Sequence, residues 1–187
     1  AHWLCAKGIM GCMFSTLSYR VSCADTVDTS HAAANAALGN PLNATCMEVS
    51  LGGAALKCLS GSITIAIAGG GFRVSHRGHE LGSWSVLTLK AGDDLAIHPG
   101  FWGSWCYIAF AGLPDVPHWL GSTATHTLSG LGGGLVARGQ TVHFRQAQVL
   151  AEETRGIACP VSARPRHVLR VTLGPQDRHF ASETVSA

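Results

Sequence analysis

The chain has 187 residues, 47% of them hydrophobic and 13% charged, with a formal net charge of +2. That length fits one domain, or one domain with a tail, and the composition supplies a core and excludes disorder. The small charge, with no basic run interleaved with aromatics, speaks against nucleic acid, and no stretch nears the roughly 18 apolar residues that span a bilayer.

The opening residues, His2 to Ala6, read as a short strand, continued irregularly through Gly8 and Gly11. They lack a basic segment followed by an apolar core, so no signal peptide is expected and a cytoplasmic protein is predicted. The seven cysteines are odd in number, scattered, and form no C-x-x-C pair. They predict small buried thiols in a reducing compartment, not a disulfide framework or zinc knuckle. Asp28-Thr29-Ser30 reads as a helix start, His31 to Leu38 as its alanine-rich body and Gly39 as its stop. His31 and Asn35, four apart, share one face of that helix and can present an imidazole and an amide to a pocket. Equally, Asn35 can bond the turn that follows while His31 is exposed.

From Cys46 to Ile97 the pattern is that of strands. Met47, Val49 and Leu51 form one phase, and Ile63, Ile65 and Ile67 another, interleaved with small residues. Glu48 points opposite to Met47 and Val49. It sits at a rim or inside a barrel, where desolvation raises its pKa toward acid/base use, or it accepts backbone N–H bonds from the 35–40 turn. Arg77-Gly78 signals a two-residue hairpin between Val74-Ser75-His76 and His79-Glu80-Leu81. Further strands follow at 86–89, 94–97, 105–110 and 142–144.

Residues 107 to 134 carry the densest signal. An apolar strand runs into a turn at Gly112, Pro114 and Pro117, then a Gly-Ser-Thr-Ala-Thr loop, then Gly132-Gly133-Gly134. Such a loop, rich in hydroxyls and N–H groups, can bind a carboxylate, amide or phosphate. Ser122, Thr123, Thr125 and His126 place hydroxyls near an imidazole, but no nucleophile elbow surrounds Ser122. A substrate-orienting loop or plain loop capping is the reading. Trp84, Phe101, Trp102, Trp105 and Trp119 fill a core or line an apolar cavity. The ten histidines show no H-x-H or H-E-x-x-H spacing, and no metal site is expected. Gln146 to Glu153 is predicted as a surface helix, Gly156 to Pro165 as a linker-like loop, and Val168 to Leu173 as a last strand. Strands at this spacing, with one or two short helices, predict a mainly β protein, a closed or nearly closed barrel over residues 1–165 with a strand and tail at 166–187.

Several blocks resemble the biotin-dependent carboxyltransferase family. Tyr107, Ala109, Gly112, Asp115-Val116-Pro117, Leu120-Gly121-Ser122 and Thr125, then Gly130 to Gly133, match its "Y-L-A-V-x-G-G-I-D-V-P-x-x-L-G-S-x-S-T" run and the "G-L-G-G" beyond. Ala34-Asn35 with Leu38-Gly39-Asn40, Met47-Glu48-Val49 with Leu51-Gly52-Gly53, Ala68-Gly69-Gly70, Lys90 to Asp93, and Leu173 to Asp177 with Phe180 follow in the family's order. The family includes allophanate hydrolase subunit 2, the KipA-like subunit of ATP-dependent 5-oxoprolinase and the carboxyltransferase region of urea carboxylase. The resemblance implies the first of two related cyclophilin-like barrel halves and a urea-, allophanate- or 5-oxoproline-like small-molecule substrate. It also implies biotin or ATP chemistry on partner subunits, with no cofactor on this chain, and a KipI-like partner. The catalytic candidates are Glu48, which lies in a block the family shares, and His31 and His126, read from the helix face and the loop cluster above. The substrate-binding candidates are Asn35, Gly69, Gly70, Ser122, Thr123 and Thr125.

The chain departs from the family where Cys12-Met13-Phe14-Ser15 stands in place of "T-V-Q-D-x-G-R". A family Asp is also displaced, since eight positions before Asn35 lies Val27, next to Asp28. Two alternatives therefore stand beside the family chemistry. One is a stand-alone barrel enzyme cyclising or isomerising an apolar small molecule; the other is a non-catalytic KipA-like binding or regulatory subunit. Apolar surface left exposed on a lone half predicts a homo-oligomer.

Overall fold

The computed structural model describes residues 2–9, 12–15, 25–150 and 152–168, together with 174–175, 179 and 181. Its strands are β1 (His2–Ile9), β2 (Cys12–Ser15), β3 (Cys46–Ser50), β4 (Ala54–Ser60), β5 (Ser62–Ala68), β6 (Arg73–His76), β7 (His79–Gly82), β8 (Ser85–Lys90), β9 (Asp94–His98), β10 (Trp105–Phe110), β11 (Leu113–Pro114), β12 (Thr141–Arg145) and β13 (Arg155–Gly156). One helix, α1 (Asp25–Ala37), and a 3-10 turn, Val161–Ala163, complete the described elements. The fold is mainly β, as the alternation predicts. Its strands lie in a seven-stranded sheet, β11-β12-β1-β4-β9-β6-β7, and a six-stranded one, β13-β8-β5-β10-β3-β2. Among the described residues neither sheet closes on itself, so the barrel is an open one.

The period-2 pattern explains which face goes where. On β5, Ile63, Ile65 and Ile67 point between the sheets, joining Met47, Val49, Leu87, Ile108 and Phe110 from the same sheet. Leu56, Val74, Leu95, Ile97, Val142 and Phe144 meet them from the seven-stranded sheet. The small residues between the isoleucines, Ala66 and Ala68, face the other way. With Ala109 they make a shallow outer face on which Ala34 of α1 and Leu38, just past its end, pack. A larger side chain at these alanines would hold the helix off the sheet.

The helix begins a turn earlier than Asp28 suggests and ends where Gly39 says. Gly39 sits at φ +72°, the left-handed value that stops helices. Its N–H bonds Ala36 O and the Asn40 N–H bonds Asn35 O, both at 3.0 Å, which satisfies two of the last helical carbonyls. The Arg77-Gly78 hairpin is also as read: both residues have positive φ, and His76 pairs with His79. Cys46, Cys58 and Cys106 are buried free thiols.

The surface helix expected over 146–153 is absent from the described part of that segment. Gln146 adopts φ +52° and turns the chain back along the six-stranded sheet. There the Gln148 N–H bonds Ala111 O at 2.7 Å, the Thr64 N–H bonds Gln148 O at 3.0 Å, and the Leu150 N–H bonds Thr64 Oγ1 at 2.9 Å. Backbone groups taken by a neighbouring strand are not available to a helix. The strand expected over 168–173, and most of the 166–187 tail, lies outside the described residues.

One ionic clamp fastens the far end of the molecule. Asp93, in the turn between β8 and β9, accepts from Arg77 Nε and Nη2 and from the Lys90 N–H, each at 2.8 Å, with His76 Nε2 at 3.2 Å. Burial by itself pushes its pKa up. The Arg77 hydrogen bond, then those from Lys90 and His76, then the Arg77 charge, outweigh this and hold it at about 2. A carboxylate whose pKa falls on folding adds stability that is complete above the ordinary value of 3.8 and lost as pH drops toward 2. Asp93→Asn should therefore lower Tm by about 3–6 °C at neutral pH. It should also flatten the stability slope between pH 2 and 4, read by urea denaturation; equal acid slopes in both proteins would refute the clamp.

Candidate functional site

Asn35 organises the ground next to α1. It is wholly buried, and its amide nitrogen donates to Ala44 O at 2.9 Å and Cys46 Sγ at 3.2 Å. Its oxygen accepts from Asn40 Nδ2 at 3.1 Å, and the same Asn40 amide reaches Phe110 O at 2.9 Å. The amide thus shapes the 38–45 turn, which is the structural alternative read from the sequence. His31, by contrast, is not exposed: it is 2% accessible, with Nδ1 at 3.2 Å from Leu42 O.

The turn that Asn35 shapes forms one wall of the larger cleft, about 520 Å³. The start of the 107–134 stretch forms the other. Thr123 joins the walls: it is 2% exposed and its hydroxyl lies 2.9 Å from that of Thr45. Side-chain amides of Asn40, Asn43, Gln146 and Gln148 supply donors and acceptors, while Leu38 and Pro114 supply apolar surface. His118 is the one titratable side chain on the described lining. A neutral cavity with paired N–H and C=O groups suits an uncharged ligand that itself donates and accepts, such as an amide or a urea.

The other loop candidates serve the loop. Ser122 Oγ accepts from the Ala124 N–H at 3.0 Å, Thr125 Oγ1 donates to Gly134 O at 3.2 Å, and His126 Nδ1 lies 2.8 Å from Ser129 Oγ. His126 is exposed and bridges Leu131 across its own turn. These are the bonds of loop capping. Gly69 and Gly70 adopt φ +115° and +47°. A β-carbon on Gly69 would meet Trp105 O at 2.8 Å and one on Gly70 would meet the Phe72 ring at 2.7 Å, so both positions need glycine for packing. Gly70 also lines a second, smaller cleft, away from Thr123.

Glu48 lies neither inside the barrel nor on the 35–40 turn. Its register opposite Tyr107 puts the two side chains on one face of the six-stranded sheet, the face toward α1. The Tyr107 hydroxyl donates to Glu48 Oε2 at 2.8 Å, and His31 meets the Tyr107 ring edge-on at 5.5 Å between centroids. Burial pushes the Glu48 carboxyl above its ordinary value, and the Tyr107 hydrogen bond opposes this in part. Two catalytic candidates, His31 and Glu48, are thus brought together through a tyrosine that sequence reasoning placed in a strand and in a family motif but gave no role at the site. Alternation gave its face, but pairing with Glu48 needed the register of β3 on β10. Gln146 and Gln148 were hidden by the helical reading of their segment. Among the described residues no three side chains of metal-binding type converge, and no helix is long and apolar enough to cross a membrane.

Comparison with known proteins agrees with this architecture. The model of the carboxyltransferase domain, subdomain A and B, matches residues 24–187. The urea amidolyase of Lachancea kluyveri is 31% identical over 139 residues, which cover 73% of this chain and 8% of that protein. The crystal structure of TTHA0988 is similar at 25% identity and a TM-score of 0.77, over 100% of this chain and 38% of the other. Kluyveromyces lactis urea carboxylase shares the fold, with a TM-score of 0.75 at 20% identity, over 99% of this chain and 18% of the other. The chain thus spans less than a tenth of the amidolyase it matches.

The Glu48–Tyr107 pair sets a pH dependence of known sign. A carboxyl whose pKa rises on folding binds more protons in the folded state. Stability should therefore fall as pH climbs from the ordinary 4.5 through the raised value. Glu48→Gln should remove that fall. Tyr107→Phe should push the Glu48 carboxyl higher still, seen by NMR titration, and cost about 1 kcal/mol at pH 7, given its partial exposure. A wild-type profile flat from pH 4.5 to 7 would contradict the assignment.

Proposed function

Since the chain belongs to the carboxyltransferase domain family, subdomain A and B, we propose that it is the acceptor-binding part of a small-molecule carboxyl-transfer enzyme, taking a urea-type amide into the cleft between the 38–45 turn and the 111–123 loop. The observation that carries this is the neutrality of that cleft: amides, hydroxyls and backbone on its lining, with His118 the one titratable side chain among the described residues there. An uncharged acceptor loses its hydration there and recovers it from fixed amides, whereas a buried charge facing it would favour ions instead.

The relatives named for urea carry the match in a small fraction of their length, so the whole reaction belongs to a larger assembly. In this reading biotin or ATP is carried by partner chains, a KipI-like subunit among them, and supplies the activated carboxyl group. This chain's residues bind and orient. Thr123 and Asn40 hold the two walls in place, and Gln146 and Gln148 face the ligand. Holding the acceptor in one pose is what lets a bimolecular transfer proceed as if unimolecular. The urea relatives, and a lining free of carboxylates among the described residues, favour this over the cyclase or isomerase reading.

The direct test uses 2-imidazolidinone, a small cyclic urea, titrated into the protein under ¹⁵N NMR. The side-chain amide signals of Asn40, Gln146 and Gln148 should shift together. Gln148→Leu should weaken binding by roughly 3–10-fold, the worth of one hydrogen bond. Shifts confined to other residues, or none at tens of millimolar, would overturn the reading.

A further inference from the structure

The second cleft, about 290 Å³, is chemically unlike the first. Its walls are Trp102, Trp105 and Tyr107, its floor includes Gly70 and Gly103, and among the described residues the one charged group on its lining is Arg164. We infer that this cleft binds a planar ring compound bearing a carboxylate, its ring stacked on the tryptophans and its carboxylate on Arg164. The inference is independent of what the larger cleft binds.

The aromatic wall is fixed before any ligand arrives. Trp102 O accepts the Gly71 N–H at 2.8 Å, and its indole lies so close to the Gly71 backbone that a β-carbon there would overlap it. Gly103 packs on Gly70 Cα with no room for a side chain on either. Three glycines thus let two loops meet backbone to backbone, and the indole has nowhere to turn. Trp105 remains 38% exposed. A large ring left in water next to a rigid aromatic slot is surface that a flat ligand would cover.

The cation is positioned as well. Arg164 donates from Nε at 3.2 Å and from Nη2 at 3.0 Å to Cys159 O, which fixes the guanidinium plane and leaves its other terminal nitrogen for a ligand. Tyr107 backs the slot: it is 2% exposed, and its hydroxyl is committed to Glu48. A carboxylate is thus met by a charge-assisted donor held in place, and the attached ring by stacking faces. A small flexible acid would forgo the stacking, and a neutral ring would forgo the ion pair.

Benzoate and benzamide, the same ring with and without the charge, are the probes. Indole N–H signals of Trp102 and Trp105 should shift with benzoate, and tryptophan fluorescence should be quenched, with benzamide at least tenfold weaker. Arg164→Gln should erase the preference for the acid while leaving the fold intact by Tm and NMR. Trp105→Ala should weaken both probes. Equal binding of the two by the native protein, or an acid preference that survives Arg164→Gln, would overturn the proposal, as would no response of the indoles at millimolar benzoate.

Discussion

The burial of one amide governs the arrangement around α1. Asn35, with no exposure, sits where helix, turn and sheet converge, and every polar atom of its side chain must find a partner there. It finds Ala44 O, Cys46 Sγ and the amide of Asn40, and Asn40 in turn holds Phe110 O, the last residue of β10. A single side chain thereby fixes the end of α1, the path into β3 and the point where the 107–134 stretch leaves the sheet. The larger cleft is the space those three leave between them. An apolar residue of similar size would take their partner from the Ala44 carbonyl and from an Asn40 N–H, each at a cost of about 1 kcal/mol.

The same constraint sorts the chemistry. The face of the six-stranded sheet under α1 has to be small where the helix lies, hence Ala66, Ala68 and Ala109. Larger groups on that face are Tyr107 and Glu48, which turn to each other, with the His31 ring packed on the tyrosine. Two of the three titratable candidates, His31 and Glu48, therefore meet beside the helix, while the larger cleft is walled by amides and hydroxyls. The second cleft is walled by tryptophans because the glycines at 70, 71 and 103 let the loops close up and leave the rings outside. Two clefts of different polarity, one neutral and one cationic-aromatic, are a consequence of where small residues fall.

Much of this was legible in the residues. The isoleucine and alanine alternation of 62–68 states both faces of β5, Gly39 states the helix end, and Arg77-Gly78 states the hairpin. The importance of 107–134 was legible too, since hydroxyls, glycines and prolines at that density mark a loop that must hold an unusual path. Less could be read of what each hydroxyl does. Ser122, Thr123, Thr125 and His126 read alike in sequence, as a substrate-orienting loop or as loop capping, yet three of them bond within the 122–134 loop while the buried one, Thr123, reaches Thr45 across 78 positions. The 146–153 segment misled because its composition suits a helix, while its N–H and C=O groups were already claimed by Ala111 and Thr64.

The sequence by itself determined the β class, the strand faces, the helix stop and the family, because periodicity, turn chemistry and ordered motifs are local properties of a chain. Tertiary structure alone decided that Glu48 meets Tyr107, that Thr123 closes one cleft and that Arg164 stands beside tryptophans 60 positions away. Those pairings depend on strand register and on which loops are small enough to touch, and no local pattern encodes either.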